Sequence, residues 1–319
     1  MRGKMAQEKI PLLVIAGPTA SGKTWLAIEL AKALGGEVVS ADSMQIYRHM
    51  EIATAKPTKE GMDGVPHYLL DFLEPDHAAF SVADYTHLAR AAITEITGRG
   101  NLPILCGGTG LYIQSVIDNI DFSGFSGDSK IRQRLQKDAE TSGPEAMWKR
   151  LEKADPELAQ KLHPNNLGRV LRALEVYEAT GIPMSIHQQR AKSKPSPYQL
   201  CMLGLRYHER ERLYERINRR VDHMLEQGLL EEAQKMISVY GGTACQAIGY
   251  KELLPYLQGE SPLEPCIEKL KQATRNYAKR QLCWFGRDKR IQWLCVDEYQ
   301  NPHELFTDAQ ILVHKSGII

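Results

Sequence analysis

Gly17-Pro-Thr-Ala-Ser-Gly-Lys-Thr24 fits the pattern G-x-x-x-x-G-K-[ST] at every position, and its reading decides the fold. Glycines let such a loop turn tightly and aim backbone N–H groups inward. Lys23 adds a point charge, and the Thr24 hydroxyl is a candidate Mg²⁺ ligand. Gly17, Pro18, Thr19, Ala20, Ser21, Gly22, Lys23 and Thr24 are therefore a candidate diphosphate- or nucleotide-binding site. The flanks agree: Ile10-Pro-Leu-Leu-Val-Ile-Ala16 is a short apolar run of strand type, and Trp25 to Leu34 reads as a helix. A phosphate would sit on the helix N-terminus, where orphan amides and the dipole favour anions. The motif alone does not separate ATP from another chain of phosphates.

Outward from the loop, strand-like and helix-like segments alternate over the first 120 residues. Glu37 to Ala41 is a strand candidate ending at Asp42, and Val65 to Phe72 resembles another. Ser81 caps a helix over Val82 to Thr97. Leu102 to Cys106 is a strand running into Gly107-Gly108-Thr109-Gly110 and a helix from Leu111 to Ile117. Repeated β-turn-α units imply a parallel sheet with helices on both faces, with ligands at the carboxyl ends of the strands. Asp42 and Thr109 are thus expected near the P-loop. Residues 121–127 read as a loop, after which strand signals vanish. Lys130 to Glu140, Pro144 to Lys153, a helix begun by Asp155 and Pro156, and Asn166 to Ala179 closed by Gly181 form a helical insertion. Residues 193–197 read as the linker out of it. Tyr198 to Leu205 returns to the sheet, Glu209 to Ser238 makes one or two helices, and Ile291 to Val296 is the last strand. The expected fold is α/β: a P-loop NTPase-like parallel sheet flanked by helices, with an all-helical insertion. The expected domains are 1–125 and 196–319 for the core and 126–195 for the insertion.

The chain has 319 residues, 43% of them hydrophobic and 25% charged, an ordinary globular composition. Six scattered cysteines contain no C-x-x-C pair, so reduced thiols in a cytoplasmic protein are expected. No run of 18 apolar residues suggests a membrane span, and no dimerisation seam is visible, so a monomer is expected. Formal net charge is +1, but Lys269 to Arg290 carries eight basic residues against Asp288, with Tyr277, Trp284 and Phe285 interleaved. Cations for phosphates and flat rings for unstacked bases suit a nucleic-acid surface; a solvated helix face explains the charges equally well.

Asp42-Ser43-Met44-Gln45 follows a strand. A carboxylate there is placed to bind Mg²⁺ through water, to accept a proton from a nucleophile, or simply to cap a turn. Arg216 and Arg220 share a helix face at i, i+4 and suit a pyrophosphate; Arg219 lies beside them. An ATP-driven phosphotransferase usually ends a strand in an Mg²⁺-binding Asp, which Ile104-Leu-Cys-Gly-Gly108 lacks. A P-loop kinase of a small metabolite or nucleoside is the alternative reading.

Taken together, nine stretches resemble the tRNA dimethylallyltransferase (tRNA isopentenyltransferase) family in its bacterial form. They are the P-loop, Asp42-Ser-Met-Gln45, Thr54-Ala-Lys-Pro57, His67-Tyr-Leu-Leu-Asp71, Gly107-Gly-Thr-Gly-Leu-Tyr112, Arg169-Val-Leu-Arg-Ala-Leu-Glu175, Ala247-Ile-Gly-Tyr250, Arg275-Asn-Tyr-Ala-Lys-Arg-Gln281 and Trp284. The resemblance implies prenyl transfer from dimethylallyl diphosphate to N6 of adenosine 37 of tRNA. The P-loop with Mg²⁺ on Thr24 would hold the leaving diphosphate, Asp42 would take the N6 proton, and Arg220 would contact diphosphate, with Arg216 and Arg219 as alternatives. Ser43, Met44, Gln45 and Thr109 would touch the target nucleotide or its neighbours. Gly168, Arg169, Val170, Leu171 and Arg172 would grip the anticodon stem-loop. Gln246, Ala247, Ile248, Gly249, Tyr250 and Lys251, with Lys279, Arg280, Gln281 and Trp284, would be further tRNA contacts. The cysteine–histidine spacing of the eukaryotic members' C-terminal zinc finger does not occur.

Overall fold

The centre of the molecule is set by Leu12–Ala16, five residues without solvent exposure on either face, which only a strand covered on both sides can supply. The computed structural model describes residues 9–77, 80–122, 128–191, 194–240 and 244–319. Most of the loop read at 121–127 and the start of the linker read at 193–197 lie outside the described residues. Elements run β1 (Ile10–Ala16), α1 (Lys23–Leu34), β2 (Gly36–Ser40), β3 (His67–Tyr68), α2 (Val82–Gly98), β4 (Leu102–Gly107) and α3 (Gly110–Ile117). Four helices follow: α4 (Ser129–Ala154), α5 (Pro156–Ala159), α6 (Leu167–Thr180) and α7 (Met184–Ala191). The chain ends with β5 (Tyr198–Arg206), α8 (Arg210–Glu226), α9 (Leu229–Val239), α10 (Tyr250–Leu257), α11 (Leu263–Phe285), β6 (Ile291–Cys295) and α12 (Pro302–Lys315).

The six strands form one sheet in the order β3-β2-β4-β1-β5-β6, every pair parallel. One face packs α1 and α12 through Leu26, Leu30, Leu305 and Val313. The other packs α2 and α3 through Tyr85, Ile93, Ile113 and Val116. This is a P-loop NTPase-like α/β fold. A third core, built from Val221, Met224, Leu229, Met236, Tyr250 and Leu270, holds α8–α11 against the segment after β2 at Ile46, Tyr47 and Met50.

The strand read at Val65 to Phe72 is cut to two residues. Leu69 and Asp71 adopt left-handed φ of 60° and 56°. The amides of Asp71, Phe72 and Leu73 turn from the sheet to the carbonyls of Gln45 and Ile46. Glu37, buried on β2, receives Arg99 Nη2 at 2.8 Å, Asn101 Nδ2 at 2.6 Å and the Tyr68 hydroxyl at 2.6 Å. Arg99 beside it pulls the carboxyl down to about 2.

Asp118–Ser196 is a separate compact unit, beginning ahead of the boundary at residue 126 that the sequence suggests. Gly143, at φ 79°, breaks α4, so the two expected helices meet at a kink. Leu135, Met147 and Leu151 pack on Val170, Ala173 and Leu174. Asp155 is buried; it caps α5 by accepting from Leu158 N–H at 3.1 Å and holds the start of α7 by accepting from Ser185 N–H at 2.8 Å. Among the described residues no helix is long and apolar enough to cross a membrane.

Candidate active site

The P-loop runs from the end of β1 into α1. Gly22, at φ 92°, occupies the cap position of α1 with no side-chain cap, so the first helical amides are left for an anion. One bond within the loop and two from other elements hold it. Lys23 Nζ donates to Pro18 O at 3.3 Å, and Arg216 Nε donates to Ala20 O at 3.1 Å. Gln281 of α11, nearly buried, accepts from Thr19 N–H at 2.9 Å and donates to Gly108 O at 3.0 Å. One carboxamide therefore joins the P-loop to the end of β4.

The glycines at the end of β4 and just beyond it sit at close approaches. A Cβ on Gly107 would lie 2.2 Å from Ala41 O, one on Gly108 2.2 Å from Gln281 Nε2, and one on Gly110 2.2 Å from Trp284 Cδ1. This lets β2 and β4 end side by side. Thr109 N–H donates to Ala41 O at 3.0 Å, and Thr109 Oγ1 accepts from Ser43 N–H at 3.0 Å. Asp42 lies between these anchors. Its Oδ1 accepts from Met44 N–H at 2.9 Å and Gln45 N–H at 3.4 Å, so capping is one of its roles.

Asp42, Lys23, Thr24 and Arg220 open onto one cavity of about 300 Å³. Its other walls are Ser43–Gln45, Ala53–Ala55, Gln246–Gly249, and Leu270, Thr274, Tyr277, Arg280 and Gln281 of α11. Burial lowers the Lys23 ammonium, opposed by Cys106 and Asp42 and reinforced by Arg220. Burial also lowers the Arg220 guanidinium, opposed by Asp42. Burial pushes the Cys106 thiol up to about 12, so it is neutral and no nucleophile at physiological pH. Two cations penalised by burial face a single carboxylate, an arrangement that an incoming anion relieves. An outer recess of about 490 Å³ shares Lys23, Thr24 and Arg220 with this cavity, and Arg216 and Arg219 line it.

The sequence matches the IPP transferase family over residues 45–288. A tRNA dimethylallyltransferase of Thermoanaerobacter sp. (strain X514) is 48% identical over 300 residues, covering 93% of this chain and 95% of the relative. The full-length tRNA isopentenylpyrophosphate transferase of Bacillus halodurans is 43% identical, with a TM-score of 0.72, covering 97% of this chain and 98% of that one. A eukaryotic dimethylallyltransferase acting on tRNA is 33% identical, with a TM-score of 0.75, covering 90% of this chain and 74% of that one. The chain belongs to the IPP transferase family. It is a transferase of the prenyl-transferring, tRNA-modifying class.

In this IPP transferase the remaining candidate residues differ in where they lie. Gln45 lines the cavity, but its Nε2 donates to Thr54 O at 3.1 Å and Ala55 O at 3.4 Å, so it also supports the neighbouring loop. Tyr250 and Val170 have fully buried side chains, Tyr250 with its hydroxyl on Glu232, so neither presents its side chain at the surface. Lys251 and Lys279 are exposed and do not line the cavity. Trp284 lines a second recess of about 460 Å³ with Arg287 and Lys289. Within the helical unit, Gly168 and Arg169 are exposed, Leu171 is half-buried, and Arg172 Nη1 meets Glu175 Oε2 at 3.0 Å.

Leu270 and Thr274 line the cavity although no motif pointed to them. The signal is periodic: Leu270, Thr274, Tyr277, Gln281 and Trp284 recur at four- and three-residue steps, one face of α11. The donor set also bears on metal. Among the described residues no three His, Cys, Asp or Glu side chains gather to hold an ion. Thr24 and Asp42 on one cavity instead suit an Mg²⁺ held mainly by substrate phosphates, which needs only one or two protein oxygens.

Proposed function

We propose that this enzyme transfers the dimethylallyl group of dimethylallyl diphosphate to N6 of adenosine 37 in tRNA and releases diphosphate. The convergence of Lys23, Thr24, Arg220 and Asp42 on one cavity carries this reading: anion-binding groups face a carboxylate across a space open to an acceptor. The α1 amides, Lys23 and Arg220 bind the diphosphate. As the N6 lone pair attacks the allylic C1, the C1–O bond breaks and its electron pair leaves on diphosphate. Asp42 accepts the N6 proton. Lys23 and Arg220 stabilise charge that grows on the leaving group, in a site where preorganised cations act strongly. Thr24, together with the substrate phosphates, would hold Mg²⁺, which would supply further neutralisation of the leaving group.

The adenosine leaves its loop stack to reach the cavity, a modest cost in an anticodon loop. Ser43, Met44, Gln45, Thr109, Gln246–Gly249, Arg280 and Gln281 form the acceptor side. Lys251, Lys279 and Trp284 lie on the RNA-facing surface around it. Gly168, Arg169 and Arg172 of the helical unit contact the anticodon stem. The protein works as a cytoplasmic monomer. Incubation with labelled dimethylallyl diphosphate and unmodified tRNA tests the reading: label appears on tRNA. Label moved instead from ATP to a small molecule would overturn it in favour of a kinase.

A further inference from the structure

The turn after β2 brings Ala53, Thr54 and Ala55 to the cavity wall, and three consecutive amides leading into it end on one side chain. Glu232 Oε2 accepts from Glu51 N–H at 2.9 Å and Ile52 N–H at 2.8 Å, and Oε1 accepts from Ala53 N–H at 2.9 Å. Oε1 also accepts the Tyr250 hydroxyl at 2.8 Å. Glu232 is half-buried in the first turn of α9, and Tyr250 is fully buried at the start of α10. One carboxylate thus joins two helices and a turn. Hydrogen bonds to an ionised acceptor are the strong kind, and without it three adjacent amides would lose their partners.

The connection continues to both walls of the cavity. Gln45 donates from its side chain to Thr54 O and from its backbone to Asp42 Oδ1. On the other wall, Tyr250 follows Gln246–Gly249 directly, and a Cβ on Gly249 would lie 3.3 Å from Ala53 Cβ. The P-loop takes no part in these hydrogen bonds: from outside it is held by Gln281 and Arg216.

Resting on the reading of the cavity given above, we infer that Glu232 is a positioning residue for the acceptor. It holds Glu51–Ala55 against Gln246–Tyr250 so that the target base meets Asp42. The experiment compares wild type, Glu232→Gln and Tyr250→Phe. It measures initial rates against tRNA and against dimethylallyl diphosphate, binding of inorganic diphosphate, thermal midpoint, and amide exchange over residues 51–53. Glu232→Gln is expected to lower kcat/KM for tRNA roughly 10- to 100-fold, the effect of an ångström-scale misplacement, and to speed exchange at residues 51–53. Diphosphate binding stays at the wild-type value, and the thermal midpoint falls by no more than a few degrees. Tyr250→Phe, which removes one of the four bonds, gives a smaller loss of the same kind. An active wild type with Glu232→Gln unchanged in kcat/KM and exchange overturns the role of Glu232 alone. So does a parallel loss of diphosphate binding, which marks a structural role. A wild type inert toward tRNA overturns the functional reading and this role with it.

Discussion

Gly107→Ala is a one-methyl perturbation with a large expected effect. The added Cβ would lie 2.2 Å from Ala41 O, 2.4 Å from Ala41 C and 2.8 Å from Ala41 Cα. All three are backbone atoms, so no side chain can swing away. A tolerable carbon–oxygen contact is about 3.2 Å, so the ends of β2 and β4 must part by about 1 Å. Asp42 is the next residue after Ala41, and its turn is tied to Thr109 through Ser43. Overpacking of this kind costs about 1–3 kcal/mol of stability. A shift of about 1 Å at the base lowers kcat roughly 100-fold. The assay is single-turnover prenyl transfer, paired with diphosphate binding, which the α1 amides should retain. Gly98→Ala serves as the control: nothing lies within 4 Å of its added Cβ, its φ is not positive, and stability is expected to hold or rise slightly. Wild-type kcat and thermal midpoint in Gly107→Ala would refute the argument that this approach positions Asp42.

Three further expectations follow from the same contacts. Glu37 has its carboxyl held at about 2 by Arg99, against 4.5 when unpaired. Its contribution is therefore full above pH about 4.5 and is lost as pH falls through about 2. The shift is equivalent to about 3 kcal/mol, reduced to about 2 by solvent around the half-exposed Arg99, and Glu37→Gln should flatten the acid limb of a stability–pH curve accordingly. Asp155→Ala removes an acceptor from two buried amides and should destabilise the helical unit by about 2 kcal/mol in denaturant titration; an unchanged midpoint would contradict the double cap. Lys279→Gln with Arg280→Gln should weaken tRNA binding and reduce its salt slope by about 1–2 while sparing diphosphate binding; an unaltered slope would remove these side chains from the phosphate contacts.

What the sequence made legible was local. The strand–loop–helix around Lys23, the cap at Ser81, the Asp155–Pro156 start and the stop at Gly181 are each written in adjacent residues, and each is seen. The end of the strand at Val65 to Phe72 was not legible, because the chain bends at Leu69 and Asp71 and carries the amides of Asp71, Phe72 and Leu73 to Gln45 and Ile46, a contact distant along the chain. Asp42 and Thr109 were expected near the P-loop from the logic of parallel sheets, and β2 and β4 do bring them to the same edge. The glycines at 107, 108 and 110 gave a motif without its reason; the reason is Ala41, Gln281 and Trp284, as far as 174 residues away in sequence. Glu232 was invisible for a similar cause. A glutamate on a helix reads as a solvated face, and nothing local marks three loop amides as its partners.

The most direct measurement is the single-turnover rate of prenyl transfer by Asp42→Ala, made with diphosphate binding on the same protein. If Asp42 takes the N6 proton while Lys23, Thr24 and Arg220 hold the leaving group, the rate falls roughly 10²- to 10⁴-fold and diphosphate binding is retained. A wild-type rate, or a rate lost only in step with diphosphate binding, would contradict that division of roles within the cavity.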